Sequence, residues 1–258
     1  MKQITAVLFS LLFFVCSSPG HAQNKASSKK TMTWTTKSEE AKKLASQGVD
    51  HFLNIEFPQA YQEFAASLKL DPDFTIPLVF MANLSTGDTK KMYIQKAIKS
   101  AANKTEGEKL FASVVAEGNT PEENRATWAK LREMFPDGGM IGAFYVNSRE
   151  TPEERFAAAE EYIQQFPDHG YMYNSLGYMY MLEKKDMAMA KKNFEKYIEL
   201  YPEGSNPYDS MGEYYLTNGD TENAKKYYSM ALEKYPFTNS SITALQKIND
   251  AGKTQVKN

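Results

Sequence analysis

The chain has 258 residues, of which 42% are hydrophobic, 24% charged and 13% aromatic, enough for one extended or two compact globular domains. A formal net charge of −2 offers no basic surplus to draw it to nucleic acid. Its single cysteine, Cys16, falls in an N-terminal segment with the marks of a leader, so a cleaved chain is expected to hold no disulfide, thiolate metal site or cysteine nucleophile.

That leader is read as residues 1–22. Lys2 starts it, ITAVLFSLLFFVC is too short to span a bilayer, and Gly20-His21-Ala22 offers small residues for a cut after Ala22. The expectation is export to the periplasm or beyond, with no transmembrane segment in the mature chain. An outer-membrane lipoprotein acylated at Cys16 is the alternative, and the bulky Phe13, Phe14 and Val15 before that cysteine speak against it. Residues 23–37 follow as a flexible basic linker, in which Lys25, Lys29, Lys30 and Lys37 stand without an acidic residue. Such a linker allows weak association with an anionic membrane surface, and Trp34 within it can dock onto the first helix.

Helical periodicity begins at Ser38-Glu39-Glu40, a hydroxyl cap followed by carboxylates at the positive helix end. Gly48 lies in that helix, and a second one carries Pro58, Ala60, Phe64 and Ser67 before Asp71-Pro72 stops it. The same arrangement is clearest near the other end. Tyr173, Leu176, Gly177 and Tyr180 answer to Tyr208, Met211, Gly212 and Tyr215, while Ala190, Phe194, Tyr197 and Pro202 answer to Ala224, Tyr228, Ala231 and Pro236. Weaker copies place small residues at Ala82, Ala112 and Ala143, which makes the steps between small positions 34, 30, 31, 34 and 35 residues. The second copy lacks its closing proline, Glu106 standing in that place. Thr120-Pro-Glu-Glu and Thr151-Pro-Glu-Glu open two later helices; their paired glutamates are explained by helix-start chemistry rather than as a catalytic acid and base. Ile242, Leu245 and Ile248 mark an amphipathic helix over 240–251, which Gly252 is expected to end ahead of a tail over 252–258.

This pattern resembles the tetratricopeptide repeat, with its aromatic, Leu-Gly pair and Tyr in a first helix and its Ala, aromatic, small residue and Pro in a second. The resemblance implies an all-α, right-handed superhelix of stacked antiparallel helix pairs. About six repeats are expected, near 41–74, 75–104, 105–138, 139–169, 170–204 and 205–238, closed by the capping helix. The small residues let paired helices approach, the aromatics fill the space between repeats, and the prolines end each second helix.

Chemistry is sparse. No phosphate loop or histidine metal spacing occurs, and His51 and His169 stand far apart, His51 where the first repeat would place a core tyrosine. No catalytic residue, metal or cofactor is assigned, and an enzyme comes last among the readings. The resemblance implies instead a protein or peptide partner held in a concave groove lined by the first helices. The residues that would face it are Met140, Phe144 and Asn147, then Asn174, Tyr178 and Met181, then Asp209 and Glu213, with Tyr171 and Asn206 at the lip. The Lys-Asn clamp that chaperone-binding relatives use for a C-terminal carboxylate is not seen. A different class of function, an envelope assembly or structural factor at the outer membrane binding glycan or lipid, remains the alternative.

Overall fold

The computed structural model describes residues 29–255. The expected signal peptide, residues 1–22, the first part of the linker, 23–28, and the last three residues of the tail lie outside the described residues. Thirteen α-helices and no strand occur among the described residues. They run as pairs: α1 (Glu39–Leu53) with α2 (Phe57–Leu70), α3 (Thr75–Asn83) with α4 (Gly87–Ala101), and α5 (Glu106–Ser113) with α6 (Pro121–Met134). Then come α7 (Gly139–Asn147) with α8 (Pro152–Gln165), α9 (Gly170–Tyr178) with α10 (Met187–Leu200), and α11 (Asn206–Thr217) with α12 (Thr221–Lys234). Helix α13 (Asn239–Gln255) covers the last pair. It runs through Gly252 rather than stopping there, because one glycine inside a helix costs only about 1 kcal/mol.

Helix starts follow from local chemistry. The Ser38 hydroxyl accepts the Ala41 N–H at 3.1 Å. Thr105 with Glu108, Thr120 with Glu123 and Thr151 with Glu154 form reciprocal capping boxes, so the paired glutamates are indeed spent on helix ends. Packing inside a pair depends on a missing side chain. A Cβ on Gly48 would lie 2.7 Å from the Phe64 ring, and one on Gly177 would lie 2.5 Å from the Phe194 ring. An aromatic ring of the second helix therefore faces each of these glycines. Phe64 also stacks on Phe80 of the next pair at 4.8 Å, so one ring serves both contacts.

The fifth pair departs from regularity. Gly177 and Ala190 are 13 residues apart, where Gly212 and Ala224 are 12 apart, and the extra residue is absorbed as a π-helical stretch, Met179–Lys184, that continues α9. Lys185 (φ 57°) then takes the left-handed turn position that Gly219 (φ 79°) fills in the sixth pair and Ile55 (φ 64°) fills in the first. A β-branched residue there is strained by roughly 1–2 kcal/mol.

Two features were not foreseen. First, residues 30–37 are an extended strap, not a flexible linker. Lys37 and Thr36 bond the Asp71 carboxylate, Thr35 bonds Glu108 through both its N–H (2.9 Å) and its hydroxyl (2.7 Å), and Lys30 exchanges backbone and carboxylate bonds with Asp137. The strap thus crosses the turns between the first four pairs in order. Trp34 docks edge-on against Phe74, ahead of α3. Lys104 ties the second of those turns through Thr35 O and Asp73 O, where the closing proline is missing. Secondly, the array closes on itself. Phe52 at the end of α1 meets Phe144 of α7 at 6.1 Å, and Leu53 packs against the cluster around Ala143, Met172 and Leu176.

Candidate functional site

The closure is held by the turn between α1 and α2. Asn54 Oδ1 accepts the Tyr197 hydroxyl at 3.0 Å, and that hydroxyl accepts from Asn206 Nδ2 at 3.2 Å. Glu56, only 6% exposed, accepts from Ser205 N–H (2.7 Å), the Ser205 hydroxyl (3.2 Å) and the Tyr201 hydroxyl (2.7 Å). Tyr197 and Tyr201 sit at the end of α10 and Ser205 at the head of α11. A carboxylate from the first pair therefore occupies the junction of the fifth and sixth, and the concave side is not an open groove along its whole length.

The residues expected to line that groove part company. Met140 and Tyr171 come together in a cleft of about 530 Å³. Phe144 is half-buried, stacked on Trp128 at 4.8 Å, and Asn147 lies beside it at the surface. Asn174 is 3% exposed, and its Oδ1 has no hydrogen-bond partner. The Tyr178 hydroxyl bonds Glu213 at 2.7 Å, and burial together with that carboxylate pushes its ionisation well up. Met181 is 2% exposed and belongs to the core with Phe194 and Met211, so it cannot face a ligand. Asp209 is buried and accepts from Ser241 of α13, and Asn206 is engaged with Tyr197 as described.

The cleft is bounded by Thr31–Trp34 of the strap, by Lys42, Ser46 and Asp50 on α1, and by the turns leading into α7 and α9. Val49, Leu53, Met140 and Ile141 give it an apolar floor. At one end stands a polar cluster. The Tyr162 hydroxyl bonds His169 Nδ1 at 2.6 Å and also Tyr171, while the His169 ring stacks on Phe166 at 5.0 Å. Burial lowers the His169 pKa, against a smaller opposing pull from Asp168, so the imidazole stays neutral near pH 7. Burial likewise raises Tyr162 and Tyr171, so both are hydrogen-bonding phenols rather than ionised groups. His51, expected in the core, is half-buried and bonds Glu63 at 2.8 Å. A second cleft of about 500 Å³ lies between α8, α9 and α10, but its walls carry Glu160, Lys192, Glu195, Lys196 and Glu199, the last two paired at 2.6 Å. That is a solvated charged face, and the first cleft is the better-built site.

Sequence reasoning missed the strap wall. Its signal was present: Thr31, Thr33 and Thr35 alternate with Met32 and Trp34, a period of two inside a stretch read as linker.

Residues 175–204 and 210–238 match the family profile described as tetratricopeptide repeat. No curated protein matches the chain in sequence. Among solved structures, PilW, a widely conserved type IV pilus biogenesis factor, aligns at TM-score 0.48 and 14% identity, covering 81% of this chain and 99% of that one. MamA aligns at TM-score 0.39 and 18% identity over 76% of this chain and 92% of that one. The APC/C hetero-tetramer Cut9–Hcn1 aligns at 0.49 and 15%, covering 81% of this chain and 42% of that one. The chain is thus an all-α helical solenoid in which two segments, within its fifth and sixth helix pairs, match the tetratricopeptide repeat.

Proposed function

We propose that the protein is a non-catalytic scaffold that binds a protein or peptide partner in the cleft between the strap, α1 and the starts of α7 and α9. The observation that carries this reading is the cleft's construction. About 530 Å³ lies within the range of ligand sites, with an apolar floor of Val49, Leu53, Met140 and Ile141 under a rim that carries Lys42, Asp50, Asp137 and His169. Its walls are fastened by the Lys30–Asp137 and Thr35–Glu108 bonds on one side and by the packing of Phe52 on Phe144 and of Leu53 against the Met172–Leu176 cluster on the other, so little ordering cost remains for binding. The repeat match supports a binding role, since stacked helix pairs present extended concave surfaces.

Export belongs to the same proposal and rests on Lys2, the short apolar run and the Gly20-His21-Ala22 site. A mature N-terminus at Gln23, read by mass spectrometry of the native protein, supports it; an acylated Cys16 would replace it with a lipid-anchored form.

The binding reading is tested with Met140→Glu, which puts a carboxylate on the cleft floor while α7 stays helical. The partner recovered with the wild-type protein should be lost with the variant. Equal recovery from both, with unchanged circular dichroism, rejects the cleft as the binding site.

A further inference from the structure

Four consecutive strap residues, Thr31 to Trp34, form one wall of the cleft. Their side chains alternate as in a β-strand: Thr31, Thr33 and Thr35 are exposed, Met32 is buried and Trp34 half-buried. The strap is held at Lys30 and again from Thr35 to Lys37. Between those fastenings, no backbone N–H or C=O of Thr31, Met32, Thr33 or Trp34 is hydrogen-bonded to another described residue. The result is an extended segment about 13 Å long, at ~3.3 Å per residue, whose backbone groups have no partner among the described residues and which runs beside an apolar floor. Unpaired edges of extended chain are templates for another extended chain, and no charged side chain interrupts Thr31–Trp34 to block such pairing.

We propose that the partner binds as an extended peptide that adds a strand to the edge of Thr31–Trp34 and lays a large apolar side chain on Val49, Leu53, Met140 and Ile141; this rests on the cleft being the binding site. The backbone supplies the affinity and the floor selects the side chain, the division of labour in strand addition. Two other occupants fit less well. A second copy's strap is itself fastened at Asp71, Glu108 and Asp137 and is not free to enter. Residues 23–28, Gln-Asn-Lys-Ala-Ser-Ser, carry no large apolar side chain for the floor.

The test uses the full chain and an acetylated, amidated peptide, Thr-Val-Thr-Ile-Thr-Val-Lys, with a twin N-methylated at alternate backbone nitrogens. Hydrogen exchange followed by NMR should show the Thr31–Trp34 amides exchanging rapidly in the free protein and slowing at least tenfold when the peptide saturates. The N-methylated twin should bind at least tenfold more weakly, since it keeps the side chains but loses the donors. Thr33→Pro removes one edge N–H and leaves the fastenings at Lys30, Thr35 and Lys37 in place, so it should weaken the peptide at least fivefold. Amides already slow without peptide would mean that the edge is covered, by residues 23–28 or otherwise, and would overturn the proposal. Equal binding of peptide and twin, or no binding at millimolar peptide, would do the same. If Thr33→Pro fails to fold, the exchange measurement on the unaltered chain decides alone. A partner lost on Met140→Glu together with indifference to N-methylation would leave the cleft standing and remove strand addition only.

Discussion

Replacing Glu56 with alanine removes the acceptor that joins the first helix pair to the fifth and sixth. Three donors converge on that carboxylate, two of them at 2.7 Å, and a hydrogen bond to a charged group contributes about 1.5–3 kcal/mol net. Against this stands the cost of burying the charge, several kcal/mol, which the variant no longer bears. The Tyr201 and Ser205 hydroxyls can rotate toward other acceptors or water, but the Ser205 N–H cannot, so its stranding dominates. The expected loss is about 2–4 kcal/mol, or a fall in Tm of roughly 4–16 °C for a domain of this size. Glu56→Gln keeps the shape and one acceptor and should lose about half as much. Thermal unfolding followed by circular dichroism measures both. A cycle with Tyr201→Phe should show coupling of at least about 0.5 kcal/mol, because the two side chains touch. A loss under about 0.5 kcal/mol for Glu56→Ala, or strict additivity with Tyr201→Phe, would refute the idea that this turn closes the array.

Other consequences follow from single sites. Gly177→Ala drives a methyl group to 2.5 Å from the Phe194 ring and should destabilise by about 1–3 kcal/mol in denaturant titration; a neutral effect would mean that the fifth pair is looser than described. Ile55→Gly relieves the left-handed strain at an exposed position, and urea midpoints should show no loss and up to about 1 kcal/mol of gain. Burial holds the His169 pKa below its ordinary value of about 6.5, so the unfolded chain binds more protons than the folded one in that region. The His169 contribution is therefore intact above about pH 6.5 and is lost as pH falls toward and through the lowered folded value. His169→Asn should flatten the acid limb of the stability–pH curve, and an unchanged limb would contradict the assignment.

What could be read in the sequence was whatever the 34-residue rhythm enforces. Gly48, Gly177 and Gly212 must be small because Phe64, Phe194 and Tyr228 press on them, and that local demand recurs in every well-formed pair. The all-α class, the stack of pairs and the covering helix follow from it. The π-helical stretch was also on view, as the 13-residue interval from Gly177 to Ala190, though a single extra residue reads equally well as a longer loop. The closure was not legible. Asn54 and Glu56 look like ordinary turn residues, and their partners, Tyr197, Tyr201 and Ser205, lie 143 to 149 positions away, where no periodicity reaches. The expected groove line was broken by several contacts: Asn206 is tied to Tyr197 at the closure, Met181 packs with Phe194 and Met211, and Phe144 stacks on Trp128. The first pair fills part of the concave side and leaves Met140 and Tyr171 at the mouth of a smaller cleft, while α13 draws in Asp209. The strap was hidden differently, because lysines and polar residues mask its Thr-Met-Thr-Trp-Thr alternation when composition is weighed before period.

The most direct measurement places a photoreactive amino acid at Met140 and, in a separate protein, at Phe237, the most exposed large apolar side chain among the described residues at 70%. After irradiation in the cells that make the protein, a partner should cross-link from position 140 and not from 237. Cross-links from 237 with none from 140 would contradict the cleft as the place where this protein binds.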